Sequence, residues 1–230
     1  MPVAPPEFID QLANTIYLKD HVERANQYAV SRGIDPTQFR FPMAWTTAEP
    51  TYYGSFREWY PPHIFTDCLY MPITAINNPK LLVGFDVRYL GPLEHRIRYV
   101  KFKRTADTLM IYCTHDLAEI KSDTPLLVAE GVMDAESLRP LGYPVVSPLT
   151  AMHQLRFVVM LRALSEKVYI VYDNDEDGRK AVHKIMKHIS IDSEVQKGFT
   201  PIVYSGKDPN WILQNYGVDY MKTTFGVQIQ

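Results

Sequence analysis

The chain has 230 residues, of which 46% are hydrophobic and 22% charged, a balance that suits one large globular domain or two small ones. Its formal charge of −2 excludes a uniformly basic nucleic-acid-binding surface, so any such contact is regional. Arg88, Arg96, Arg98, Lys101, Lys103 and Arg104 crowd one stretch, whereas acids concentrate between Glu130 and Asp177. The two cysteines, Cys68 and Cys113, lack partners at zinc-finger spacing, which argues against structural zinc or a disulfide framework and for a reducing compartment. The N-terminal stretch lacks the form of a signal peptide, and no run reaches about 18 apolar residues. The expectation is a soluble, cytoplasmic protein that does not engage a membrane.

Along the chain, Phe8, Ile9, Leu12 and Ile16, then Val22, Ala25, Tyr28 and Ala29, recur at helical intervals and predict two short helices broken near Lys19. Arg32-Gly33-Ile34-Asp35-Pro36 supplies a stop, with Gly33 as C-terminal cap. The aromatic and proline-rich segment from Thr46 to Pro62 reads as irregular. Cys68 to Ile73, Lys80 to Tyr89 and Ile97 to Phe102 read as strands of a β-rich subdomain carrying a basic ribbon. After Asp123-Thr124-Pro125 the pattern alternates. Strands are expected at Leu126 to Ala129, Pro144 to Val146, Val168 to Tyr172 and Pro201 to Tyr204. Helices are expected near Ala135 to Leu141, Met152 to Leu164 and Arg179 to Ile189. The prediction is an α/β fold: a basic α+β subdomain over 1–122, then over 123–230 a parallel sheet of about four strands covered by helices.

In a parallel sheet the C-terminal ends of the strands share one rim, where ligands bind. Glu130 directly follows Leu126 to Ala129 and Asp173 directly follows Val168 to Tyr172, so both carboxylates are predicted on that rim. Asp175 and Asp177 extend the cluster, and Asp208, after the last strand, can join it. Carboxylates gathered without basic neighbours repel one another, and a hard divalent cation such as Mg²⁺ removes the repulsion. Gly131 and Gly178 allow close backbone approach ahead of two helices. Asp134 and Asp177, taken alone, also fit helix caps. An EF-hand calcium loop counted from Asp173 would need Glu at its twelfth position, which is Lys184.

Glu130-Gly131-Val132-Met133-Asp134 and Asp173-Asn174-Asp175-Glu176-Asp177-Gly178, each after an apolar strand, resemble the two signatures of the TOPRIM domain. That fold is shared by DnaG-type primases, topoisomerases, RecR-type recombination proteins and several nucleases. From about Ala25 to Gly217 the chain further resembles the DnaG-type primase core. Tyr28 to Ile34 is similar to its opening segment, Met71-Pro72-Ile73 with Val83 to Leu90 to its strand pair, Arg98-Tyr99 and Thr105 to its Lys-Tyr and Thr, and Gly206-Lys207-Asp208-Pro209 to its late acidic motif.

The resemblance implies RNA primer synthesis for DNA replication in a bacterial or phage-infected cell. Two or more Mg²⁺ (or Mn²⁺) ions would be held by Glu130, Asp173, Asp175 and Asp208, with Glu130, Asp173 and Asp175 catalytic. It assigns template or nucleotide phosphates to Arg32, Arg88, Arg98, Lys101 and Lys103. The implied partners are single-stranded DNA and nucleoside triphosphates. A replicative helicase and a separate zinc-binding subunit are further expected partners, because the zinc module and helicase region of such primases have no counterpart in the sequence. Three positions depart from the family's pattern: Asn210 stands where a second acid is common, Ser147-Pro148-Leu149-Thr150 replaces a Gly-containing loop, and Met110 falls near an expected Lys. A TOPRIM nuclease and a non-catalytic DNA-binding module of replication or recombination are the alternatives. A topoisomerase would need a strand-passage gate and tyrosine domain for which the chain is too short.

Overall fold

The computed structural model describes residues 6–46, 67–75, 78–91, 99–103, 110–149, 155–189 and 198–229. These residues form two compact units, one of Met1–Ser31 with Asp35–Met110 and one of Arg32–Ile34 with Ile111–Gln230. The division falls before the expected 122/123 boundary for a physical reason. A two-residue strand, Tyr112–Cys113, hydrogen-bonds into the second sheet and carries the following stretch, Thr114 to Ser122, with it.

In the first unit, α1 (Pro6–Ile16) and α2 (Lys19–Ser31) are separated at Tyr17–Leu18, next to the break expected near Lys19. They accompany an antiparallel sheet of β1 (Ala44–Thr46), β2 (Cys68–Ala75), β3 (Asn78–Tyr89) and β4 (Tyr99–Lys103), in that spatial order. Ile9, Leu12 and Ile16 of α1, spaced three and four apart, share a core with Tyr70, Phe85, Val87, Val100 and Phe102. Side chains alternate across a strand, so Asp86, Arg88, Lys101 and Lys103 take the face opposite that core. Gly84 is required here, because a Cβ would lie 2.0 Å from the Phe102 carbonyl oxygen. The expected irregular segment, Asn77, and the stretch holding Arg96, Arg98, Arg104 and Thr105 lie outside the described residues.

In the second unit, β5 (Tyr112–Cys113), β6 (Leu126–Ala129), β7 (Val145–Ser147), β8 (Val168–Val171) and β9 (Phe199–Pro201) form one sheet of order β5-β7-β6-β8-β9. The last four run parallel, and β5 is an antiparallel edge. Every residue of β6, β7 and β8 is buried, as a parallel sheet covered on both faces requires. The connecting helices are α3 (Val132–Leu138), α4 (Leu155–Leu164) and α5 (Glu176–Ile189). The chain leaves β6 toward β7 on one side and then returns to place β8 on the other. The switch point of the sheet therefore lies between β6 and β8.

Four elements differ from expectation, among them β9, which was expected at Pro201 to Tyr204 and occupies Phe199–Pro201. A further helix, α6 (Pro209–Gly226), follows Asp208; non-helical backbone at Gly217 (φ +79°) kinks it and breaks its apolar periodicity. The short strands β1 and β5 are too brief to leave a repeat in the sequence. Glu136 of α3, 2% exposed, is buried because it accepts from the Tyr112 hydroxyl and pairs with Arg139 through two contacts of 2.6 and 2.8 Å, which tether the β5 edge to α3. Among the described residues no helix is long and apolar enough to cross a membrane.

Candidate metal centre

Adjacent parallel strands β6 and β8 pair Ala129 with Val171, so the residues that follow them, Glu130 and Tyr172-Asp173, emerge side by side at the switch point. Backbone stitching then adds Asp208. The Asn174 amide N–H donates to the Lys207 carbonyl at 2.8 Å, and its side-chain Nδ2 donates to the carbonyls of Tyr204 and Gly206 at 3.2 and 3.1 Å. The Tyr204 hydroxyl donates to the Tyr172 carbonyl at 2.7 Å. These bonds fold the loop after β9 over the end of β8. Gly206 enables the turn at φ +130°, where a Cβ would also meet Ile212 at 2.9 Å. Asp208 then caps α6, accepting from the Trp211 amide at 2.6 Å with Pro209 in the first turn.

The carboxylates sense one another. Asp173 is pushed up to about 8, first by burial and then by the charges of Asp134, Glu130, Asp208 and Asp175. Asp134 is pushed up to about 7 by burial and by Asp208 and Glu130, against the opposing Asn210 amide and Arg32 guanidinium. Asp173 Oδ1 is buried without a hydrogen-bond partner. Like charges that share a site, and a buried oxygen with no donor, together describe a place for a cation. Arg32, whose carbonyl accepts from Asn210, is the positive charge that bears on Asp134, and its buried Nε has no partner either.

Asp134 thus belongs to the cluster and does not cap α3, whose N-cap is Gly131. Its first-turn position resembles a cap in sequence, which is why its weight was invisible there. Asp175 is exposed and accepts from the Gly178 amide at 2.8 Å, fastening the start of α5. Asp177 is exposed as well, and its contact is with Lys180 at 3.9 Å, away from the other acids. Gly178 is indispensable, because a Cβ there would stand 2.0 Å from the Asp173 carbonyl oxygen. Gly131 has ordinary room, with Asp134 Oδ2 3.4 Å from a Cβ. In the Ser147-Pro148-Leu149 turn, Ser147 Oγ donates to the Glu130 carbonyl at 2.8 Å and accepts from the Leu149 amide at 3.1 Å. Leu149 takes the left-handed conformation (φ +58°) natural to glycine, so the turn keeps a glycine-like backbone without one.

The remaining basic residues belong to the first unit. Arg88 lies over the Tyr99 ring at 5.5 Å, and Lys101 stands 4.0 Å from Asp86, a buried carboxylate the sequence did not single out. Asp86 is pushed up to about 6 by burial, against the pull of Lys101 and Arg88. Lys103 shares their face of β4, and Arg98 lies outside the described residues. Asn174 and Asn210 are the two site residues that sequence reasoning did not weigh for the roles they hold.

Comparison with known proteins decides the fold. A Toprim-like family profile matches residues 127–213, which span β6 to the first turns of α6 and hold every acid of the cluster. The zinc-binding and RNA polymerase domains of the Aquifex aeolicus primase superpose with a TM-score of 0.71 at 20% identity over 95% of this chain and 59% of that one. The chain carries a Toprim-like domain within a DnaG-type primase-core fold. The Escherichia coli primase catalytic core gives a TM-score of 0.72 at 19% identity, over 97% of this chain and 78% of that one. A DnaG primase catalytic domain bound to single-stranded DNA gives 0.70 at 19% identity, over 96% and 80%. No curated protein matches the chain by sequence. The acids of the Toprim-like domain sit at its sheet switch point, where α/β folds take their ligands.

Proposed function

We propose that the chain is the catalytic core of a DNA primase, joining nucleoside triphosphates into an RNA primer on a single-stranded DNA template. The observation that carries this reading is the gathering of Glu130, Asp134, Asp173 and Asp208 at the switch point of a Toprim-like domain, with Asp173 Oδ1 buried and unpartnered. In this reading Glu130, Asp173 and Asp208, joined by Asp134, hold divalent cations of the Mg²⁺ or Mn²⁺ type, and Asp175 approaches from the solvent side. As the side chains stand, no three acids, His or Cys among the described residues grip one point, as mutual repulsion dictates. When bound, Mg²⁺ neutralises triphosphate charge and lowers the pKa of a primer 3′-hydroxyl.

The chain's own residues do the rest. Arg32 offers the triphosphate a cation beside the acids, its Nε already stripped of water and unpartnered. Arg88, Lys101 and Lys103, on one face of the first unit's sheet, suit sequence-independent phosphate contact, which an enzyme following a moving template needs. A replicative helicase and a zinc-binding subunit are the partners this reading expects, in the cytoplasm of a bacterial or phage-infected cell. The test is incubation of the chain, alone and with its helicase, with single-stranded DNA, ribonucleoside triphosphates and Mg²⁺. Short RNA products that vanish in Glu130→Gln and Asp173→Asn support primer synthesis. Cleavage of the DNA or of added RNA without nucleotides would assign a nuclease. Biological function that survives both substitutions would assign a non-catalytic module.

A further inference from the structure

Asn210 occupies the position where a second acid was expected, and its surroundings give it different work. It is 1% exposed, and its Nδ2 donates to the Arg32 carbonyl at 2.9 Å and to Ser137 Oγ at 2.8 Å. Both partners demand a donor. A backbone carbonyl only accepts, and the Ser137 hydroxyl hydrogen is committed to the Met133 carbonyl at 2.7 Å. A carboxylate at 210 would face two acceptors. Three residues further along the same face of α6, Leu213 packs beneath Gly33, lying 3.4 Å from where a Cβ would be; Gly33 itself has φ +74° and Ile34 is 4% exposed. Asn210 and Leu213 thus seat the Arg32–Ile34 segment on the Toprim-like unit, to which those three residues belong. The Asn210 backbone amide reaches Asp134 Oδ1 at 3.4 Å, so the same residue touches both the acid and the segment bearing the arginine. Arg32 Nε, buried and without a partner, is left for an anion.

We propose that Asn210 is a positioning residue that clamps Arg32 beside Asp134, so that the arginine is held where it can bind the triphosphate. The triphosphate as the anion rests on the primase reading; the clamp does not. The clamp fixes one positive charge against the rim without adding a negative one.

The experiment uses the full chain and two readouts. The first needs no ligand. Native-state trypsin cleavage after Arg32, timed against cleavage after Lys222 in the same digest, reports opening of the clamped segment. Asn210→Ala and Asn210→Asp are each expected to accelerate the Arg32 cut about tenfold with the Lys222 cut unchanged, the loss of two side-chain hydrogen bonds. Ser137→Ala, which spares the Arg32 bond, should move it far less and serves if the Asn210 variants fold poorly. An unchanged Arg32 cut, or one accelerated only in step with Lys222, overturns the clamp.

The second readout is equilibrium binding of Mg²⁺·ATP. Arg32→Ala and Asn210→Ala should each weaken it about tenfold, and the double variant no further, because one group acts through the other. Multiplying losses overturn the positioning role. If Arg32→Ala leaves ATP affinity unchanged while Asn210→Ala still exposes the Arg32 cut, the clamp stands and the phosphate role in the primase reading falls.

Discussion

Replacing Asp173 by Asn should make the metal-free protein more stable while destroying its response to metal. The Asp173 carboxyl is raised from the ordinary 3.8 to about 8 by burial and four acidic neighbours. Between those values the folded state holds a proton that the unfolded state has lost, so stability falls as pH rises through that window. At about 1.4 kcal/mol per pKa unit the full penalty above pH 8 would approach 6 kcal/mol, and solvent on the open side of the rim screens it to about 1–2 kcal/mol. For a chain of this size that is roughly 2–8 °C in Tm. The assay is thermal unfolding in chelator and in millimolar Mg²⁺, at pH 8.5 and pH 5.5. In chelator at pH 8.5 Asp173→Asn should melt higher than the wild type. At pH 5.5, inside that window, the variant's advantage should shrink to less than half of its value at pH 8.5. Mg²⁺ should raise the wild type at pH 8.5 and leave the variant where it was. A variant that melts at or below the wild type in chelator at both pH values would refute the crowded-carboxylate account.

Tyr112→Phe removes a hydroxyl that donates to the buried charge of Glu136 and should cost about 1.5–3 kcal/mol in denaturant unfolding; an unchanged midpoint would show the bond to be idle. Gly178→Ala should lower both Tm and Mg²⁺ affinity, because its Cβ would collide with the Asp173 carbonyl, whereas Gly131→Ala should cost far less; equal losses would contradict the packing. Asn174→Ala should weaken Mn²⁺ binding about tenfold by calorimetry, since it frees the loop that delivers Asp208; retained affinity would mean Asp208 is placed by other means. Asp86, raised from 3.8 to about 6 by burial, lowers stability as pH climbs through that interval, so Asp86→Asn should raise Tm at pH 8 and by far less at pH 4; an equal gain at both would point to packing instead.

Strand and helix alternation after Pro125, and the placement of an acid directly behind each of two apolar strands, made the sheet and the rim pair Glu130 and Asp173 legible in advance. That legibility comes from local patterns: four or five buried residues and then a carboxylate can be read without knowing the fold. The clustering of Asp134 could not be read so, because a first-turn acid looks like a cap until the structure shows Gly131 in that place. Nor could the work of Asn210, whose partner Arg32 lies 178 positions away. By sequence it was only an acid missing. Asp177 differs in the opposite sense. It shares its hexapeptide with Asp173, but the turn into α5 sends it to solvent. The basic ribbon was visible as composition, while the carboxylate of Asp86 within it emerged only from the pairing of β3 with β4.

The most direct test of the metal-dependent nucleotide site is a crystal of the full chain soaked with Mn²⁺ and a nucleoside triphosphate. The account predicts anomalous peaks at the β6–β8 switch point ligated by Glu130, Asp173 and Asp208, with triphosphate oxygens on the ion and Arg32 within reach of a phosphate. Manganese and triphosphate bound elsewhere, with these carboxylates unmoved, would contradict it.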